Sequence, residues 1–153
     1  MDNINIDTIR CEAEQLYLNG DFYCSEAIIS TIRKYFAPEM PEQAIAMGSG
    51  FPVGIGGAMC LCGAVSGGII AVGYFFGRTN RKDAKVHKAM ALSKELHDYF
   101  QNAYGVLCCR VQCKGMGLGS RIHMQQCAKF TGEIAAKTAE IIIRELNNLN
   151  TGE

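Results

Sequence analysis

Eight cysteines occur in a chain of 153 residues, and thiols can both bind a metal and exchange electrons. Four stand in separate settings: Cys24 in FYCSEA, Cys62 in LCGAVSG, Cys109 in LCCRVQ and Cys127 in QQCAKF. They are far apart in sequence, so no local zinc-finger clip joins them and only the fold can gather them. Gathered, they make a site either for a metal cluster or for thiol redox chemistry. Two local groupings accompany them. Cys60 and Cys62 form a CxC, and Cys108, Cys109 and Cys113 form a CCxxxC in which Cys109 and Cys113 would share a helix face. Neither is a CxxC, which weakens a thioredoxin-like reading. No CxxCH occurs, so covalent c-type haem is excluded at the motif level. A free cysteine also packs as a small hydrophobe, and that is the competing role for each of the eight, Cys11 included.

The elements that must position these thiols read as helices throughout. Ile9, Ala13, Leu16 and Tyr17 recur on one face of a helix over about 6–18, which Asn19-Gly20 ends. A second helix runs from about Cys24 to Phe36 and stops before Pro38; a short one spans about 41–48. The Gly-rich run GSGFPVGIGGAMC is a connector. An apolar helix from about Cys62 to Phe76 follows as the expected centre of the bundle. Thr79 or Asn80 is placed to cap the next helix, about Arg81 to Tyr104, with Val86, Met90, Leu92, Leu96, Tyr99 and Phe100 as its apolar positions. VLCCRVQC reads as a short helix or turn, and Ser120 caps a last helix to about Leu149. The expected fold is all-α, a single-domain bundle of five or six helices around a buried Gly-rich helix.

Helix placement bears on the chemistry. Cys24 and Cys62 each open a helix, where unpaired N–H groups and the positive end of the dipole favour a thiolate. Cys127 lies inside a helix and needs neighbours or a metal for the same effect. His123 is four residues before Cys127 on the same face. It reads as a solvated helix-end histidine, with ligand or proton donor as the alternative. His87 and His97 read as surface residues.

Fifteen basic residues balance fifteen acidic ones. Such a chain has no basic field for nucleic acid or anionic lipid, and neither partner is expected. MDNINIDTIR lacks the pattern of a signal peptide, so a cytoplasmic location is expected. In a reducing cytosol, cysteines in this number point to metal ligands or catalytic thiols. Residues 44–77 carry no charge, and their hydropathy over a ~19-residue window reaches the transmembrane range. Gly63, Ser66, Gly67, Gly68 and Gly73 nevertheless give the helix a surface suited to close packing in a soluble bundle. GIGG and GMGLG follow no predicted strand and lack the context of a dinucleotide fingerprint.

From Cys62 to Gly67 the chain reads CGAVSG, a CGAxxG element; Cys24 precedes it in AEQLYLNGDFYCSEAI, and Cys109 and Cys127 follow. In this order the cysteines resemble the C-GCAxxG-C-C family, whose members are described as redox-active, over about residues 13–145. The resemblance implies one redox domain over residues 1–153, with Cys24, Cys62, Cys109 and Cys127 as the site. Cys108 adjoins Cys109, so the third thiol stays open between them, and Cys11, Cys60 and Cys113 have no assigned role. A related domain in split-Soret-type cytochromes accompanies an iron–sulfur centre, and some members place selenocysteine in the motif, which favours direct redox chemistry.

Two readings of function follow. In the first, Cys24, Cys62, Cys109 and Cys127 bind an iron–sulfur cluster, most simply of the two-iron type, for electron transfer or redox sensing. Four thiolates would equally bind zinc, but zinc sites usually use closely spaced ligand pairs. In the second, the protein is a metal-free thiol oxidoreductase with Cys62 as nucleophile and another thiol resolving the mixed disulfide. The partner implied is a redox protein, with a homodimer as the alternative assembly. A helical interaction protein with packing cysteines is the remaining class.

Overall fold

A computed structural model describes residues 4–151. Its helices are α1 (Ile6–Leu18), α2 (Cys24–Phe36), α3 (Gln43–Ala46), α4 (Gly63–Phe76), α5 (Lys85–Tyr104), α6 (Cys109–Gln112) and α7 (Arg121–Thr151). The protein is all-α. Five helices form the bundle, and α3 and α6 are single turns of four residues. Among the described residues the one β-type pairing is an isolated antiparallel bridge between Leu61 and Cys108.

Local chemistry explains most helix ends. Asn5 Oδ1 accepts from the Asp7 N–H at 2.8 Å and caps α1. At the other end Gly20 takes φ +76° and the Asp21 N–H reaches back to the Leu16 carbonyl. Ser120 Oγ accepts from the His123 N–H at 3.3 Å and opens α7. The start of α5 differs from expectation. Neither Thr79 nor Asn80 caps it; Asp83 Oδ1 accepts from the Lys85 N–H at 2.9 Å. Lys82, at φ +61°, breaks any helix begun at Arg81. Met90, expected inward, is exposed.

α4 lies at the centre, against α2, α5 and α7, while α1 packs on α7. With four glycines in fourteen residues, α4 has weak intrinsic helix propensity, so tertiary packing must hold it. A Cβ on Gly67 would sit 2.7 Å from both Cα and O of Ser25, and one on Gly68 would sit 2.8 Å from Thr138 Oγ1. The glycines thus let α2 and α7 approach the backbone of α4. Val65, Val72, Leu96, Phe100, Ile134 and Ile141 fill the space around it. No helix among the described residues is long and apolar enough to cross a membrane. The fourteen residues of α4 extend about 21 Å, short of a ~30 Å hydrocarbon core.

Candidate functional site

Four chain segments bring their cysteines to one end of α4. Cys24 is the first residue of α2, Cys62 is the N-cap of α4, Cys109 opens α6, and Cys127 lies in the second turn of α7. All four line a single small cavity of about 30 Å³, together with Tyr17, Val53, Gly54, Gly63, His123 and Phe130. The backbone aligns two of them directly. The Cys62 N–H donates to the Leu107 carbonyl at 2.8 Å, and the Cys109 N–H donates to the Cys60 carbonyl at 2.7 Å. The CxC and the CC segments are therefore held side by side.

Glycine makes room for the sulfurs. A Cβ on Gly63 would lie 2.5 Å from Cys24 Sγ, and one on Gly54 would lie 2.9 Å from Cys109 Cβ. Gly54 belongs to the connector, and this segment is more structured than a flexible loop. Val53, Gly54, Ile55, Gly56 and Gly57 all have positive φ, between 54° and 86°. The result is a left-handed turn, fastened by Ile55 N–H to Phe51 O at 3.0 Å and Cys60 N–H to Gly54 O at 3.2 Å.

A model of the family described as "Putative redox-active protein (C_GCAxxG_C_C)" matches residues 22–141. The chain belongs to this family. No curated protein and no solved structure matches it. The family match spans Cys24, Cys62, Cys109 and Cys127, and the cavity is where this C-GCAxxG-C-C protein brings them together.

Of the two adjoining thiols, Cys109 is the one at the cavity. Its side chain is buried and lines the cavity, whereas Cys108 turns away, with its thiol 3.7 Å from the Met59 carbonyl. Cys11 and Cys60 are exposed. Cys113 was a thiol without a role in the sequence; it is buried, with Sγ 4.0 Å from Cys109 Sγ one turn earlier. The i,i+4 spacing already carried that signal.

His123 departs from its expected place. It is only 6 % exposed, and Nε2 lies 3.6 Å from Cys127 Sγ. The loop before α7 folds back over it, and the Gly119 N–H donates to Nδ1 at 3.2 Å. The donor atoms of Cys113, His123 and Cys127 all lie within 4.8 Å of one another, close enough to share a metal ion. The Gly119 bond opposes ligation by the imidazole, however. With Nδ1 accepting, the ring proton sits on Nε2 and points at the Cys127 sulfur. His123 is thus arranged as a hydrogen-bond donor to sulfur. His87 and His97 are exposed, as expected.

Electrostatics here correct the helix-terminus argument. The N–H groups of Val65 and Ala64 do act on Cys62, but burial outweighs them and pushes its thiol up to about 11. Burial first, and then neighbouring Cys113, pushes Cys109 up to about 11 as well. Cys127 is pushed up to about 11 by burial, although the Tyr17 hydroxyl and Cys113 partly counter it. Cys24 and Cys113 also move upward, each chiefly through burial. Without a cation the thiols hold their protons at neutral pH. Several thiolates in one low-dielectric pocket would repel each other and lose hydration.

Proposed function

We propose that this protein carries electrons, or senses redox state, through an iron–sulfur cluster held by Cys24, Cys62, Cys109 and Cys127. What supports this best is the convergence of these four side chains, from four separate segments, on one cavity. The donor set fits such a group. It offers four sulfurs, and glycines stand where a Cβ would strike Cys24 Sγ or Cys109 Cβ. The void of about 30 Å³ is about the share of one water molecule, so the site must widen to take even the smaller, two-iron core, which is the form proposed. When bound, the cluster supplies a reversible one-electron couple.

The residues around it have definable tasks. Cys62 is fixed by its own backbone bond to Leu107 and Cys109 by its bond to Cys60, so two ligands are set before any metal arrives. Phe130 and Val53 wall the site with apolar surface and restrict water. His123 is placed to give a hydrogen bond to Cys127, which stabilises negative charge on that sulfur, and the Tyr17 hydroxyl, which donates to Met124 Sδ at 3.7 Å, lies nearby in the same wall. Ligand binding must expel the thiol protons, so metal uptake should release acid.

One observation favours a second reading. Cys109 and Cys113 sulfurs are 4.0 Å apart on one turn, and together they could form a disulfide by exchange with a disulfide substrate, which takes up the two electrons and two protons and leaves as two thiols. In that reading this pair, and not Cys62, is the working dithiol. Cys62 and Cys109 are equally buried and both thiols are pushed up to about 11, so the choice of pair rests on the 4.0 Å separation of Cys109 and Cys113 alone.

Anaerobic reconstitution with iron and sulfide tests the proposal. The expected product is brown, with iron and acid-labile sulfide in equal amounts, and Cys62→Ser should abolish the colour and lower the melting temperature. A colourless product with unchanged thiol count after gel filtration would refute the cluster. Loss of two thiols on mild oxidation, abolished by Cys113→Ser, would establish the dithiol reading in its place.

A further inference from the structure

A second and much larger cavity, about 740 Å³, adjoins the cysteine cavity. It lies between the end of α1, the start of α2, the left-handed turn and the loop that precedes α7. Tyr17, Tyr23, Val53 and His123 belong to both walls. The imidazole that touches the Cys127 sulfur is therefore also reachable from this outer space. The volume falls within the range of ordinary small-molecule sites, ~300–1,000 Å³.

The walls define the chemistry of an occupant. Tyr17, Phe22, Tyr23, Val53, Leu118 and Met124 present apolar and aromatic surface, which suits a flat ring. Among the described residues, Asp21 and Glu26 are the charged groups on the wall, and no Lys or Arg lines it. Carboxylates without a cation disfavour a phosphate, sulfonate or carboxylate ligand. Glu26 is already engaged, accepting from the Tyr23 N–H at 3.0 Å and from Ser49 Oγ at 2.5 Å. It has little left to offer a cationic ligand, and Asp21 is exposed to water.

We infer that this outer cavity binds an uncharged, flat, aromatic small molecule and brings its ring to His123, beside the cysteine site. The binding itself follows from the cavity; only its redox meaning rests on the function proposed above. The partner of the site is then a small diffusible ring compound entering from the α1–α2 side.

A matched pair of probes tests this. N-phenyl-1-naphthylamine is neutral, and 1-anilinonaphthalene-8-sulfonate carries a negative charge on nearly the same rings. The chain has no Trp, so probe fluorescence is read without interference. The neutral probe should bind the full-length protein saturably at one site, and the sulfonate about tenfold more weakly or worse. Tyr23→Ala and Leu118→Asp, at positions 58 % and 61 % exposed, should each weaken the neutral probe about tenfold while leaving the thermal melt unchanged. Asp21→Lys should narrow the gap between the two probes. A separate apolar hollow is lined by Met40, Met47, Ile70 and Tyr74; Met47→Ala there should change nothing. Equal binding of both probes, indifference to Tyr23→Ala and Leu118→Asp, or loss of binding in Met47→Ala would overturn the inference. Cys62→Ser separates the two proposals: it should remove the cluster and keep probe binding. Failure of either reading therefore leaves the other's readout intact.

Discussion

Two glycines of the same helix make opposite predictions for the same substitution. Gly67 and Gly73 both lie within α4. A Cβ on Gly73 would meet nothing within 4 Å, whereas one on Gly67 would lie 2.7 Å from Ser25 Cα and 2.7 Å from Ser25 O. Replacing a mid-helix glycine by alanine stabilises by about 0.5–1 kcal/mol through backbone entropy. Gly73→Ala should show that gain in full. Gly67→Ala carries the same gain plus an overpacking cost of about 1–3 kcal/mol. That cost cannot be relieved by a rotamer change, because the obstructing atoms are backbone. Propensity cancels between the variants, so the gap is the overpacking cost alone. For a protein of this size 1 kcal/mol shifts Tm by about 2–4 °C, so Gly67→Ala should melt roughly 2–12 °C below Gly73→Ala. Circular dichroism at 222 nm is sufficient to read it. Ser25 follows Cys24 directly, so pushing α2 away should also reduce iron incorporation in Gly67→Ala and leave it intact in Gly73→Ala. Equal melting temperatures for the two variants would refute the close approach of α2 to α4.

Three further predictions follow from the site. Cys109→Ser should eliminate the reconstituted cluster while Cys108→Ser leaves iron content unchanged, since only the Cys109 side chain faces the cavity; elemental analysis decides, and the reverse result would exchange their roles. His123→Ala should keep iron content and lower the reduction potential, because it removes a donor that stabilises the more negative reduced state; redox titration reads this, and loss of stoichiometric metal would make the imidazole a ligand. The metal-free protein should lose stability as pH rises from about 8.5 to 11, because thiols ionise near 8.5 in the unfolded chain but Cys62, Cys109 and Cys127 are held up to about 11 when folded. Below the unfolded value both states hold their protons and the contribution is fully present; above it the unfolded chain binds fewer, so the slope is downward. Urea melts across that range should show a shallower fall for Cys62→Ser, and an unchanged slope would place the Cys62 thiol in water.

What the sequence made legible was periodic or punctuated. α1 and α2 end where Gly20 and Pro38 demand, and α7 begins at the Ser120 cap. Cys24, Cys62, Cys109 and Cys127 could be selected because their order is a family pattern; Cys108 parts from Cys109 for a reason helical rotation does not give, because it is extended backbone bridged to Leu61 and only Cys109 begins the helix. What escaped was set by tertiary approach. His123 looks solvated because it stands at a helix end, in the first turn of α7; its burial comes from Gly119 folding back to its Nδ1. The start of α5 was misplaced because Asp83 and the left-handed Lys82 act together, and neither is visible from helical periodicity. The small-residue surface expected of α4 divides its work by tertiary approach: Gly67 makes room for the backbone at Ser25, and Gly63 is the glycine that yields to a sulfur.

The connector carries the least expected conformation and the clearest link between strain and chemistry. Val53, Ile55 and Met59 adopt φ of 54°, 60° and 59°, a region that costs a residue with a Cβ about 1–2 kcal/mol. Glycine at these positions would remove that cost, so the side chains and the geometry must serve a purpose that outweighs it. The turn lays Gly54 against Cys109 and sets Val53 in the wall of both cavities. Its exit also delivers the Met59 and Cys60 carbonyls to the N–H groups of Arg110 and Cys109, at 2.9 and 2.7 Å. A right-handed or extended connector would leave those donors unpaired at the start of α6 and carry Cys60–Cys62 away from Cys108–Cys109. The strained turn therefore fixes the distance between the second and third family cysteines, and it does so from a segment that holds none of the four.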